Sequence, residues 1–141
     1  MAGIAYGVLA GYDGSPCSKE ALCWAAREAR ARGVALTVGH AWALASPVPP
    51  STAAAFDLAR RNGEQILAQG LRHAQDLAGP SAAVRGVLAD GPAAAALCAR
   101  SGGAEMVVVG TRGRGGLAGL LLGSVSSQVA ALRGAWAAHA G

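Results

Sequence analysis

The residues best suited to chemistry lie between Met106 and Ser127, MVVVGTRGRGGLAGLLLGSVSS. An apolar, β-branched run, Met106 to Val109, reads as a buried parallel strand, and at Gly110 it passes into a segment too glycine-rich for regular structure. Gly110, Gly113, Gly115 and Gly116 crowd the turn, and Gly123 and Ser124 precede a run, Val125 to Leu132, that suits a helix. Strand, glycine loop and helix start together make an anion site. Main-chain N–H groups converge, the helix dipole adds positive character, and the missing Cβ atoms allow close approach. Arg112 and Arg114 can add guanidinium groups, and the Ser124 hydroxyl can donate to an oxyanion. The chemistry this implies is the holding of a phosphate.

A G-x-x-G pair such as Gly110 and Gly113 is common in loops and linkers and says little alone. Its place after a strand and before a helix is what favours a phosphate site. The segment is not a Walker loop, because no G-K-[ST] follows and the sole lysine, Lys19, lies far upstream. Nor is it a Rossmann fingerprint, since it follows the last clear strand and not the first. No H-E-x-x-H, nucleophile elbow, paired catalytic carboxylates or Cys/His ligand cluster stands elsewhere in the chain. Ser15, Ser18, Ser124, Ser126 and Ser127 lack an adjacent base in sequence, so nothing marks a nucleophile.

The elements that position this loop alternate between strands and helices. Ile4 to Tyr12 reads as the first strand and ends at Asp13, Gly14 and Ser15. Ser15 suits an N-cap and Pro16 the first helical position, which predicts a helix to about Arg32 with Gly33 as its stop. Asp13 is then a carboxylate at the carboxyl end of a central strand, where open α/β sheets bind ligands, although Asp also serves as a local turn acceptor. Val34 to Trp42 predicts a second strand, within which His40 reads as a packed or hydrogen-bonded residue and not a catalyst. Ser46 to Ser51 is a proline-rich surface loop that could fold over the site as a lid. Thr52 to Ala78 is one long helix, and Gly63 and Gly70 on its apolar face let it lie close to the sheet. Ala83 to Ala89 is a weaker third strand, and Pro92 to Arg100 a short helix leading into Met106 to Val109. This alternation requires a parallel sheet with right-handed crossovers.

The spacing through Gly110, Gly113, Gly123 and Ser124, with nine residues between the second and third glycines, resembles the nucleotide-binding motif of the ATP-binding branch of the universal stress protein family. GVLAGYDGSPCSKEAL near the N-terminus resembles that family's first strand, Asp-Gly-Ser turn and first helix. The resemblance brackets most of the chain and implies one domain over residues 1–141. The implied fold is a three-layer α/β domain, an open parallel sheet with helices on both faces, Rossmann-like and of the adenine-nucleotide α-hydrolase type. It also implies ATP as ligand, with adenine and ribose near Asp13, Gly14, Ser15 and the main chain of Ala41. The phosphates would lie on Gly110, Arg112, Gly113, Arg114, Gly123, Ser124 and Val125. Mg²⁺ or Mn²⁺ would be held mainly by phosphate oxygens and water. The implied role is a stress-response sensor or signalling protein with at most weak hydrolysis. Where the family has a valine-rich fifth strand, this chain ends ALRGAWAAHAG, so a fifth strand is expected to be missing and a hydrophobic edge open. That counts against the homodimer many members form through this strand. It leaves a second reading, an interaction module with a vestigial nucleotide site that pairs with another chain at the open edge.

Composition narrows the class further. Hydrophobic residues are 52% against 14% charged, with alanine a large share, which suits helices packed closely on a sheet. The net charge of +4 comes from scattered arginines without interleaved aromatics, which argues against a nucleic-acid surface. Cys17, Cys23 and Cys98 are an odd number with no C-x-x-C pair, as expected of a reducing cytoplasm. Cys17 at the start of the first helix could be a thiol sensor, but a small packing residue is the more ordinary role. No signal peptide is evident, and the two charge-free stretches, Gly33 to Phe56 and Gly115 to Leu132, are interrupted by prolines or by glycines and polar residues, so neither reads as a membrane span.

Overall fold

The computed structural model describes residues 6–42, 53–110 and 137–140. In chain order the elements are β1 (Gly7–Gly11), α1 (Pro16–Arg32), β2 (Leu36–Trp42), α2 (Ala53–Ala78), β3 (Val84–Asp90), α3 (Ala93–Arg100), a 3₁₀ turn at Ser101–Gly103, β4 (Ala104–Gly110) and β5 (Ala137–Ala140). The strands form one parallel sheet in the order β3-β2-β1-β4-β5.

Period-two alternation along the strands sorts their side chains between two helical layers. On one face Val8, Ala10 and Tyr12 of the first strand and its exit join Leu36, Val38, Met106 and Val108 beneath α1 and α2. On the other face Leu9, Val107 and Val109 pack with Leu97 of α3. Leu9, Leu22 and Leu36 are among the largest fully buried side chains, each worth about 1.5–3 kcal/mol of burial. Thr37 is a buried polar residue of β2, and its hydroxyl donates to the Tyr6 carbonyl at 2.6 Å.

Local sequence accounts for α1 in detail. The Ser15 hydroxyl accepts from the Ser18 N–H at 3.2 Å, Pro16 opens the helix, and Gly33 closes it in the left-handed region at φ 65°. The glycines of α2 do what the spacing expects. A Cβ on Gly63 would stand 2.9 Å from Cβ of Trp42, and one on Gly70 would stand 2.7 Å from the Tyr12 ring. The helix therefore rests directly on two aromatic side chains at the carboxyl end of the sheet, and Phe56 at its start meets Trp42 edge to face at 4.9 Å.

The expected absence of a fifth strand is corrected at the sheet edge. Ala137–Ala140 runs parallel to β4, with Val107 opposite Ala137 and Gly110 opposite Ala140. It is only four residues long and contains no valine. Side chains alone give little reason for a strand here, because alanine is a poor strand former. Strand pairing is made by the main chain, and the unpaired N–H and C=O groups along β4 can recruit any segment that reaches them. That side of β4 is therefore paired from Val107 to Gly110. The predicted helix Val125 to Leu132 and the proline-rich loop Ser46 to Ser51 lie outside the described residues.

Candidate functional site

The strand order fixes where a ligand can sit. From β1 the chain moves outward through β2 to β3 and then returns across the sheet to place β4 on the other side of β1. The strand order thus reverses between β1 and β4, which is the switch point at whose carboxyl end open α/β sheets bind ligands. Asp13, Gly14 and Ser15 follow β1 at this rim, Gly110 ends β4 beside them, and Ala41 is the penultimate residue of β2.

The turn after β1 is held by a closed set of hydrogen bonds. The Ser15 N–H donates to Asp13 Oδ1 at 2.9 Å, and the Ser18 hydroxyl donates to the Ser15 carbonyl at 2.9 Å. Gly14 takes φ 84°, a conformation that favours glycine. Asp13 thus serves as the turn acceptor that its residue type suggests, and the same bond fixes its carboxylate at the rim. Ser15 is buried, with its hydroxyl engaged as the cap of α1. No acidic residue stands in the first turn of α1 itself, and the carboxylate nearest the positive end of its dipole is that of Asp13, held on the Ser15 N–H.

Gly110 is where β4 meets α1. A Cβ on Gly110 would lie 2.8 Å from the carbonyl carbon, the carbonyl oxygen and the Cβ of Cys17. Only glycine lets the end of β4 approach the first turn of the helix this closely. This gives Cys17 a packing role that the sequence suggested only in general terms.

Ala41 presents its main chain to the same rim. In a parallel strand the N–H and C=O of one residue point to the same side, and the side alternates along the chain. The Leu36 N–H donates to Ala83 before β3, the Gly39 carbonyl accepts from Tyr12 after β1, and the Trp42 carbonyl accepts from Gly91 after β3. By this alternation both main-chain groups of Ala41 face the β1 side, just past the point where β1 has left the sheet.

The structure therefore brings Asp13, Gly14, Ser15, Ala41 and Gly110 to one rim. Arg112, Gly113, Arg114, Gly123, Ser124 and Val125 lie outside the described residues. Sequence reasoning missed Tyr12, whose hydroxyl donates to Gln69 Oε1 at 2.8 Å while its ring packs on Gly70. The seven-residue spacing of Gly63 and Gly70 against Trp42 and Tyr12 was the available signal. His40 is a hydrogen-bonded strand residue, as expected, with Nδ1 2.8 Å from the Tyr12 carbonyl. Among the described residues no three His, Cys, Asp or Glu side chains are grouped to hold a metal, and no helix is long and apolar enough to cross a membrane.

An open parallel α/β sheet with helices on both faces and a strand order that reverses at β1 defines the class. The model of the universal stress protein family matches residues 7–132, and the chain belongs to that family. Universal stress protein Rv2005c of Mycobacterium tuberculosis is 42% identical over 122 residues, covering 86% of this chain and 41% of its own. The chain thus spans less than half the length of that relative. Among solved structures, the universal stress protein from Archaeoglobus fulgidus in complex with dAMP superposes with a TM-score of 0.70 at 20% identity, covering 98% of this chain and 99% of its own. A universal stress protein in complex with cAMP does so at 0.71 and 24% identity, covering 95% of this chain and 94% of its own. At these identities the superpositions establish the shared fold.

Proposed function

We propose that residues 1–141 form a domain that binds an adenine nucleotide, ATP, at the carboxyl rim between β1, β2 and β4, and that it serves as a stress-response sensor or signalling module. The observation that carries this reading is the packing of Gly110 on Cys17 at the switch point, where a Cβ would fill the space. A loop beginning there starts beside the N-terminus of α1, where main-chain N–H groups and the helix dipole favour anions. The adenine edge would meet the N–H and C=O of Ala41, and the ribose would lie near the turn carrying Asp13, Gly14 and Ser15. The phosphates would rest on Gly110, Gly113, Gly123, Ser124 and the N–H of Val125, with Arg112 and Arg114 adding charge. Mg²⁺ or Mn²⁺ would be held mainly through phosphate oxygens and water. The relatives whose structures contain dAMP and cAMP support an adenine nucleotide as the class of ligand. Binding itself is the function, with hydrolysis slow or incidental. The alternative of an interaction module pairing at an open β4 edge loses its premise, because β5 occupies that edge. The same observation removes the objection to a homodimer.

Isothermal titration of ATP into the wild-type and Gly113→Ala proteins tests the assignment. Wild type should bind, and the added methyl group should weaken binding at least about tenfold by blocking close phosphate approach. Equal affinities for the two proteins would refute it.

A further inference from the structure

We infer that His40 is a positioning residue for base recognition: its imidazole takes the Tyr12 carbonyl that the strand ladder would otherwise give to Ala41, and so keeps the Ala41 main chain available to a nucleobase. This rests on the proposed nucleotide site and adds a residue to it. The β1–β2 ladder runs through Gly11 opposite Gly39, and its last rung is the Tyr12 N–H donating to the Gly39 carbonyl at 2.8 Å. Continued by one step, a parallel ladder would next pair the Ala41 N–H with the Tyr12 carbonyl. That carbonyl instead lies 2.8 Å from His40 Nδ1. A carbonyl can only accept, so Nδ1 carries the proton and donates.

The consequence follows from the alternation along β2. The N–H and C=O of Ala41 both face the β1 side, and neither has a main-chain partner among the described residues. A donor and an acceptor on one residue are the complement of adenine, which offers an acceptor at N1 and a donor at the 6-amino group. Guanine presents the reverse at N1 and O6 and would set like against like. Leaving both groups of Ala41 unpaired until ligand arrives is costly for a strand. A carbonyl oxygen can accept two bonds, so in this inference the imidazole acts by drawing the Tyr12 carbonyl to Nδ1 and out of line with the Ala41 N–H. The same bond holds Tyr12, and Asp13 follows directly. His40 touches the main chain on which the site depends and acts through it.

The test uses His40→Leu and His40→Asn in the whole chain. The Asn side-chain N–H₂ can occupy the place of Nδ1, whereas Leu keeps bulk without a donor. His40→Leu should bind ATP about tenfold more weakly with a narrower preference for ATP over GTP, and His40→Asn should restore most of both. Hydrogen exchange supplies a readout of opposite sign to simple loosening. In ligand-free His40→Leu the Ala41 amide should exchange more slowly than in wild type, because it closes onto Tyr12, whereas a general loss of stability would make it faster. Wild-type affinity and selectivity in His40→Leu, a His40→Asn as impaired as His40→Leu, or faster Ala41 exchange would each overturn the inference while leaving ATP binding intact. Failure of the wild-type protein itself to bind ATP would instead overturn the nucleotide reading beneath it.

Discussion

Replacing Gly110 by alanine would force apart the two elements that meet at the switch point. The new methyl carbon would stand 2.8 Å from main-chain atoms of Cys17, against an ordinary contact of at least 3.4 Å, so the end of β4 and the first turn of α1 must separate by about 0.6 Å. The obstruction is backbone within a capped helix, so no rotamer change relieves it. Overpacking of this kind costs about 1–3 kcal/mol, which for a chain of this size lowers Tm by roughly 4–12 °C at about 4 °C per kcal/mol. Because the proposed phosphate site begins at Gly110, ATP affinity should fall about tenfold as well. Circular dichroism melts and calorimetric titration read the two effects. Gly102→Ala is the control: no atom lies within 4 Å of its Cβ position and its φ lies outside the left-handed region, so it should melt and bind as wild type. A Gly110→Ala protein indistinguishable from Gly102→Ala would refute the claim that close approach of β4 to α1 builds this rim.

Two further perturbations test the surroundings of the site. Ser15→Ala removes the acceptor for the Ser18 N–H at the start of α1 and should cost about 1 kcal/mol, read as a lower urea midpoint with unchanged m-value. Gly70→Ala sets a methyl carbon 2.7 Å from the Tyr12 ring, and its cost of about 1–3 kcal/mol should shrink when combined with Tyr12→Leu, where the ring is gone. Additive losses in that double-mutant cycle would show that the helix does not rest on the ring.

Most of the helical architecture is legible in the amino-acid sequence, because its signals are local. Ser15, Pro16 and Gly33 delimit α1 through capping and φ preference, and the apolar spacing of α2, with glycines at positions 63 and 70, anticipates how closely it lies on the sheet. Strand ends are less legible, since Ala104 and Glu105 precede the apolar run that marks β4 yet belong to the strand. Of the site, Asp13 and Gly110 can be picked out from their position after apolar strands. The bond from His40 to Tyr12 cannot, because those residues are 28 apart and meet only through strand pairing.

The one expectation overturned marks the boundary between the two kinds of information. ALRGAWAAHAG carries no side-chain signal for a strand, yet Ala137–Ala140 pairs with β4 because main-chain donors and acceptors along an unpaired edge bond without regard to side-chain type. Sequence alone determined which segments become strands and helices wherever apolar period and caps agree, and it placed an aspartate and a glycine turn at strand ends. Tertiary structure decided that β1 stands between β2 and β4, that the Gly110 main chain meets Cys17, and that Ala41 faces the gap left by β1. Those are relations between segments far apart in the chain, set by which strand edges remain to be paired, and no local pattern encodes them.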